Sequence, residues 1–184
     1  MDMNTESASS MMRAADLIIP EDEVQNAICR IAEEISNVLE REHPLLLAVM
    51  GGAVFFAGHL LPKLNFPLEF DYIHATRYGT GTSGGDISWR VAPGENVRGR
   101  TVLVLDDILD GGHTLAEIRA RILKQGARAF YSAVLTEKET GLQKPFAADF
   151  VGVSVPDRFV FGCGMDCNGA WRNLPAIYAM KQDA

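Results

Sequence analysis

Short, wholly apolar runs alternate with segments of helical periodicity between residues 45 and 136 of the chain. Such a run is typical of a strand buried on both faces, and strands of this kind occur in parallel sheets covered by helices on both sides. The alternation of strand and helix favours the same arrangement, because parallel neighbours need a crossover connection between them. We therefore predict an α/β fold with a twisted parallel sheet flanked by helices.

Apolar spacing and turn residues place the individual elements. Strands are predicted at 45–50, 68–75, 87–91, 101–105, 129–136, 150–155, 159–161 and 176–180, and helices at 53–64, at 114–125 and from 21 to before Pro44. The polar residues 1–16 are expected to fray. Because both chain ends fall outside the alternation, we predict one domain over 1–184, with a core of about 40–145 and a small hood from about 1–25 and 146–184.

Composition excludes several classes of protein. Of 184 residues, 47% are hydrophobic, which is too many for a disordered chain. The net charge of −7 comes without a cluster of lysines and arginines, which disfavours nucleic acid as a partner. The longest apolar run, Leu45–Gly58, is broken by two glycines, and the N-terminal residues lack the apolar segment of a signal peptide. We therefore expect a cytoplasmic protein without a membrane partner.

The segment Val102–Leu115 carries most of the chemical information, since a buried strand runs through three acids and two glycines into a helix. Ligands of open parallel sheets bind beyond the carboxyl ends of strands, and glycines before a helix let backbone amides converge on an anion. We predict that Gly111, Gly112, His113 and Thr114 cradle a phosphate. The alternative is a plain strand–loop–helix connection, which explains one acid and one glycine but not the whole ordered string.

Three carboxylates beside a phosphate would repel it unless they have other roles. Asp106 and Asp107 can accept hydrogen bonds from sugar hydroxyls and help to hold a divalent metal. Asp110 is placed for proton transfer. A phosphorylated sugar bound with Mg²⁺ accounts for all three carboxylates, because it offers hydroxyl groups, a metal ion and a reacting centre for proton transfer. Neither a Walker A pattern nor GxGxxG occurs in the sequence, which disfavours P-loop NTPases and dinucleotide enzymes.

The Val102–Leu115 string resembles the phosphoribosyl-diphosphate (PRPP) signature of type I phosphoribosyltransferases. The C-terminal segment is similar to hypoxanthine-guanine phosphoribosyltransferases in Asp149-Phe150-Val151-Gly152, in Pro156-Asp157-Arg158-Phe159-Val160-Phe161-Gly162, in Met165-Asp166 and in Arg172-Asn173-Leu174-Pro175. The similarity covers roughly residues 17–180. It implies the type I fold with its hood, and a reaction in which N9 of hypoxanthine or guanine displaces pyrophosphate at C1′ of PRPP to give IMP or GMP.

The resemblance also implies roles for the residues of the central string. Asp110 matches the catalytic acid/base near purine N7. Asp106 and Asp107 match the acidic pair at the ribose hydroxyls and at Mg²⁺, the implied cofactor. Residues 111–114 match the loop that binds the 5′-phosphate.

Roles in the C-terminal half rest on the same resemblance. Lys138 matches the lysine that donates to purine O6, which suits a 6-oxopurine because an ammonium has donors only. Phe159 matches the ring that stacks on the base, and Val160 contacts the base through its backbone. Asp166 is expected at the purine and as a metal ligand, and Arg172 at pyrophosphate. Taken alone, Lys138, Asp166 and Arg172 would be ordinary surface charges and Phe159 a core residue.

The glycine-rich segment Arg77–Gly85 resembles the family's flexible lid, which would keep water from the reacting centre. Arg77 or Tyr78 could then close over pyrophosphate, and the alternative is a plain hairpin loop. Met50 stands where many relatives have lysine, at a bond to Gly51 that is cis in the family and whose amide faces pyrophosphate. Gly111 stands where a hydroxyl residue is common.

Several alternatives remain open at the level of sequence. The fold also serves non-enzymatic nucleotide-sensing regulators, and a preference for xanthine over hypoxanthine would depend on the pocket around Asp157, Val160 and Asp166. Relatives are dimers or tetramers, which implies a homodimer or homotetramer. Residues 53–64 include several large apolar side chains that could form the interface, although a role in the core is favoured. Cys163 and Cys167 lack partners for a zinc site, so packing is expected of them.

Overall fold

The computed structural model describes residues 5–77 and 87–181. Its helices are α1 (Thr5–Arg13), α2 (Glu21–Leu39), α3 (Val54–Leu60) and α4 (His113–Lys124), with short 3₁₀ turns at Leu61–Lys63 and Glu95–Val97. Its strands are β1 (Ala15–Ile19), β2 (Leu45–Val49), β3 (Glu69–Arg77), β4 (Ile87–Val91), β5 (Thr101–Leu109), β6 (Ala129–Glu139), β7 (Phe150–Pro156), β8 (Val160–Phe161) and β9 (Ile177–Met180).

Six strands form the larger sheet, in the order β4-β3-β2-β5-β6-β7. Five of them run parallel, and β4 pairs antiparallel with β3 at one edge. All five residues of β2 are buried, as the unbroken apolar run predicts for a central strand covered on both faces. The predicted twisted parallel sheet flanked by helices is confirmed, with an antiparallel strand added at its edge.

Side chains of the central strands alternate between two cores. Leu46 and Ala48 of β2 face α2 and α3, where Ile28 and Phe56 are fully buried. The intervening side chains face α4 on the opposite side of the sheet. Within α3 and the turn after it, Phe56 and Leu60 are buried, and Phe55 and Leu61 pack against the same core. The favoured core role of the 53–64 segment is therefore confirmed.

A separate three-stranded sheet, β1-β9-β8, joins the two ends of the chain. Arg158 links β1 to β9, because its Nη2 donates to Asp16 Oδ2 at 2.6 Å and to the Met180 carbonyl at 2.7 Å. Val160 and Ile177 pack into the core that contains α2 and α3. We refer to this three-stranded sheet and residues 157–176, which connect its strands, as the hood.

Two details of the predicted organisation are wrong. β7 was assigned to the hood, beyond a boundary at residue 145, but it is the edge strand of the large sheet and pairs with β6. Arg30 of α2 also donates to the Val151 and Gly152 carbonyls of this strand. Residues 5–13 were expected to fray, yet they form α1, and Trp171 Nε1 donates to the Ala8 carbonyl at 3.0 Å.

The topology brings the carboxyl ends of β2, β5 and β6 to one edge of the sheet, beneath the hood. Because all three strands are parallel, the residues that follow them meet there.

Across the residues that the structure describes, none of the helices combines the length and the apolar character needed to cross a membrane.

Candidate active site

A cavity of about 480 Å³ opens at this edge of the sheet. Its walls are the ends of β2, β3 and β5, the start of α4, and two charged residues of the hood. Predicted site residues that line it are Gly51, Asp106, Asp107, Asp110, Gly111, Gly112, His113, Thr114, Asp166 and Arg172. Gly51 and Arg172 are remote in sequence from residues 106–114, yet all of them line this one cavity.

The loop between β5 and α4 has the form expected of an anion site. Gly112 has a left-handed backbone, with φ of 77°, and is the N-cap of α4. A Cβ there would lie 3.4 Å from both Lys144 Cβ and the Phe146 carbonyl oxygen, so a larger residue would be strained and crowded. The first turn of a helix leaves backbone N–H groups without helical partners, and these can bind a phosphate.

Asp106 and Asp107 lie side by side at the end of β5. Asp106 Oδ1 accepts from the Asp107 amide at 3.0 Å, and Asp107 Oδ1 accepts from the Ile108 amide at 2.9 Å. Burial raises the pKa of Asp106 well above its ordinary value, and the neighbouring charge of Asp107 raises it further. Burial also raises the pKa of Asp107. Asp106 is buried and Asp107 is half-buried, and a nearby cation would stabilise the charged forms of both carboxylates.

The turn after β2 packs directly against this acidic pair. A Cβ on Gly52 would lie 2.0 Å from Asp107 Oδ2, so a larger residue here would force the Asp107 carboxylate to move. The peptide bond between Met50 and Gly51 is cis, as the resemblance implies. Met50 carries no charge, and any contact with an anion at this turn must come from the backbone.

Asp166 and Arg172 reach the cavity from the hood. Arg172 Nη2 donates to Asp166 Oδ1 at 2.5 Å, and Arg172 Nη1 donates to the Gly164 carbonyl at 2.6 Å. Asp166 Oδ2 accepts from the Gly169 amide at 2.7 Å. Both oxygens of Asp166 are therefore engaged within the hood.

The three predicted metal ligands Asp106, Asp107 and Asp166 do not assemble into a site that could hold a metal alone. Over residues 5–77 and 87–181, no group of three or more histidine, cysteine or acidic side chains has such a geometry. Mg²⁺ is commonly held by one or two carboxylates together with oxygens of a phosphorylated substrate, and the Asp106–Asp107 pair fits that pattern.

A second cavity, of about 430 Å³, adjoins the first. It is lined by Asp107, Ile108, Asp110, Lys138, Phe159, Val160, Met165, Asp166 and Asn168. The two cavities share the acids Asp107, Asp110 and Asp166, so a ligand can extend from one into the other. All four residues predicted to contact a purine lie here.

An ion pair stands on the border of the two cavities. Lys138 Nζ donates to Asp110 Oδ2 at 2.9 Å, and the lysine side chain is 12% exposed while the aspartate is 55% exposed. Phe159 is 54% exposed, which leaves its ring available for stacking, whereas Val160 is buried. The pair presents one cationic donor and one anionic acceptor next to an exposed aromatic ring.

Some residues that line the two cavities are not predicted by the sequence. His74 and Thr76 of β3 border the first cavity, and Asn168 borders the second one. Lys144 bonds to the ends of both β5 and β6, yet nothing in the sequence separates it from a solvated loop lysine. Arg77 is the last residue of β3, while Tyr78 and the rest of the predicted lid lie outside the described residues.

Comparisons with known proteins agree with this geometry. A family model described as phosphoribosyl transferase domain matches residues 20–168. The chain is 32% identical over 166 residues to the hypoxanthine-guanine phosphoribosyltransferase of Bacillus subtilis, covering 90% of this chain and 92% of that protein. A crystal structure of a hypoxanthine-guanine phosphoribosyltransferase from Bacillus anthracis has a TM-score of 0.81 at 28% identity, covering 90% of this chain and 98% of that one.

Another relative is considerably longer. The chain is 35% identical over 168 residues to the bifunctional protein TilS/HprT of Listeria monocytogenes. The match covers 91% of this chain but 26% of that protein, so the chain spans about a quarter of the length of this relative.

Proposed function

The chain belongs to the phosphoribosyl transferase domain family, and on that premise we propose that it is a purine salvage enzyme. The reaction transfers the 5-phosphoribosyl group of PRPP to N9 of hypoxanthine or guanine, and it yields IMP or GMP and pyrophosphate. The family and the names of its relatives support this assignment. The observation that carries it is the Lys138–Asp110 ion pair, which stands between a phosphate loop and an exposed aromatic ring.

The ion pair is complementary to one edge of a 6-oxopurine. On that edge O6 and N7 lie side by side. In the tautomer protonated at N7, O6 accepts a hydrogen bond and N7 donates one. The Lys138 ammonium donates and the Asp110 carboxylate accepts, so the two groups match the edge in order. Adenine carries an amino donor at position 6, which would face the lysine donor and is disfavoured.

The reaction needs a nucleophile, a leaving group and a destination for one proton. The N9 lone pair forms the bond to C1′ while the bond from C1′ to the pyrophosphate oxygen breaks. The proton on N7 passes to Asp110, which keeps the purine neutral as N9 becomes bonded. Phe159 supports the base by stacking. Positive charge that develops on the ribose ring is stabilised by the nearby carboxylates Asp106 and Asp107.

Mg²⁺ fits the Asp106–Asp107 pair, because two adjacent carboxylates with raised pKa values supply hard oxygen donors, and a cation stabilises their charged forms. When bound, the ion neutralises charge on the pyrophosphate group. Asp166 remains a candidate ligand through oxygens it already shares with Arg172 and Gly169. The 5′-phosphate is assigned to residues 111–114, and pyrophosphate to Arg172 and the backbone at Gly51.

The direct test is a spectrophotometric assay of the purified chain with PRPP and Mg²⁺, in which hypoxanthine, guanine, xanthine and adenine are supplied one at a time. We expect turnover of hypoxanthine or guanine and none of adenine. The Asp110→Asn variant should lower kcat by about 10²- to 10⁴-fold, since it removes the proton acceptor and keeps the shape. Turnover of xanthine alone would favour the xanthine-preferring alternative. Nucleotide binding without turnover of any purine would contradict the proposal and favour a regulator.

A further inference from the structure

Lys144 contacts the two strands that carry the ion pair. Its ammonium donates to the Leu109 carbonyl at 3.1 Å, to the Lys138 carbonyl at 2.6 Å and to Glu137 Oε1 at 3.1 Å. An ammonium has three N–H donors, and these three acceptors satisfy all of them. The side chain is only 12% exposed, so the contacts are largely shielded from water.

The position of this ammonium is at the open end of a strand pair. Leu109 is the last residue of β5 and lies opposite Glu137 of β6 in the parallel register. Beyond that point the two strands separate. The backbone after β5 leads to Asp110 and residues 111–114, and the backbone after β6 leads to the loop that contains Lys144. The ammonium therefore joins two strand ends where the backbone ladder stops.

The aliphatic stem of Lys144 makes a second contact. A Cβ built on Gly112 would lie 3.4 Å from Lys144 Cβ, which places the stem against the left-handed residue that begins α4. Stem and ammonium thus have separate neighbours. The stem borders the phosphate loop, whereas the ammonium holds the strand ends that carry Asp110 and Lys138.

We infer that Lys144 is a positioning residue for the base half of the site, an inference that rests on the proposed function. Leu109 directly precedes Asp110, and the other bonded carbonyl belongs to Lys138 itself. A shift of either strand end would move one member of the pair that must meet O6 and N7 together. A single ammonium that bonds to both carbonyls fixes their spacing before any ligand arrives.

The kinetic test uses Lys144→Met, which keeps an unbranched stem against Gly112 and removes the ammonium. We expect kcat/KM for hypoxanthine or guanine to fall by about 10- to 100-fold, because small misplacements of reacting groups are costly. The KM for PRPP should stay within about threefold, since the stem contact is retained. The matched control is Lys124→Met, at an exposed lysine in the last turn of α4. Equal kinetics in Lys144→Met and wild type would overturn the inference.

A second variant separates the backbone contacts from the ion pair. Glu137→Gln keeps an oxygen that can accept from Lys144 and leaves both carbonyl contacts in place. It should lose much less activity toward the base than Lys144→Met does. A loss as large as that of Lys144→Met would assign the effect to the charge of Glu137 and contradict positioning through the backbone.

Amide hydrogen exchange of the ligand-free protein gives a readout that does not depend on turnover. In Lys144→Met, exchange should rise about tenfold in peptides covering 108–112 and 137–140, and remain unchanged in α2. If the wild type turned over no purine, the proposed function would fail, while this measurement would still decide whether Lys144 holds the strand ends. A uniform loss of stability with unchanged kcat and KM would show ordinary packing and overturn the inference.

Discussion

The loop proposed to bind the 5′-phosphate comes from one continuous segment, whereas the proposed base half of the site is assembled from three. Residues 106–114 supply the acids, the glycines and the helix start within a single strand–loop–helix unit. The proposed base half draws on Asp110 after β5, Lys138 on β6, and Phe159 with its neighbours from the hood, all of which line one cavity. A local unit takes its shape from its own backbone, but an assembled pocket depends on how separate elements dock. Substitutions should therefore alter recognition of the base more easily than binding of the 5′-phosphate.

Among the variants that test this comparison, the largest effect is expected on base selection. Lys138→Gln removes the cation that is proposed to donate to O6, and it should lower kcat/KM for hypoxanthine and guanine by about 10- to 100-fold, as expected for a hydrogen bond to a charged group. The KM for PRPP should change little, because the phosphate loop is untouched. Steady-state kinetics with each substrate varied in turn provide the check. A parallel rise in the KM for PRPP would show that the two halves are not separable.

An effect on stability rather than on catalysis is expected from the turn beside the acidic pair. Gly52→Ala would place a Cβ 2.0 Å from Asp107 Oδ2 and should lower the free energy of unfolding by about 1–3 kcal/mol through overpacking. Gly58→Ala is the matched control, since it lies within α3 with nothing within 4 Å of the added carbon, and it should gain about 0.5–1 kcal/mol. Urea denaturation measures both. Equal stability of the two variants would contradict the packing described for Gly52.

The raised pKa of Asp106 predicts a pH-dependent effect on stability. A carboxyl whose folded pKa exceeds its ordinary value of 3.8 favours the folded state at low pH, and that contribution is lost as pH rises through the folded value. Asp106→Asn should therefore raise the Tm of the ligand-free protein at pH 8, by about 2–4 °C if the gain is about 1 kcal/mol. The difference should shrink as pH is lowered toward 4. A variant less stable than wild type by the same margin at every pH would contradict this account.

Thiol labelling reports whether the hood stays docked on the core. Of the four predictions in this comparison, this one expects the smallest change, because the native hood should stay closed. Burial and the charge of Glu21 raise the pKa of Cys163 to about 12, and burial also raises the pKa of Cys167. Cys29 is exposed on α2. Iodoacetamide at pH 8 should therefore modify one thiol in the native protein and three in denaturant, as counted by mass spectrometry. Rapid native labelling of Cys163 would show that the hood opens.

The same contrast explains how much of the molecule could be predicted from its sequence. The segment Val102–Leu115 predicts its own strand, loop and helix because its periodicity and its glycines are local. The assignment of β7 failed because the partner of a short apolar strand is chosen by long-range pairing with β6. The helix at residues 5–13 was missed for a similar reason, since Trp171 meets it from the opposite end of the chain.

Single charged residues were the hardest to predict. Lys138 and Arg172 were identified as site residues only through the resemblance, since each alone looks like a surface charge. Lys144 had no such support, and its role depends on two carbonyl groups that no sequence pattern reveals. The place of Phe159 follows from the hood, which packs on the core through Val160 and its neighbours.

We propose that one ion pair, Lys138–Asp110, selects a 6-oxopurine beside a PRPP site. The most direct test of this proposal is a competition in which the wild-type protein receives PRPP, Mg²⁺ and equal amounts of hypoxanthine, guanine, xanthine and adenine, with the nucleotide products identified by mass spectrometry. The account predicts that IMP or GMP forms and that AMP does not. Formation of AMP at a comparable rate, or of no nucleotide at all, would contradict it.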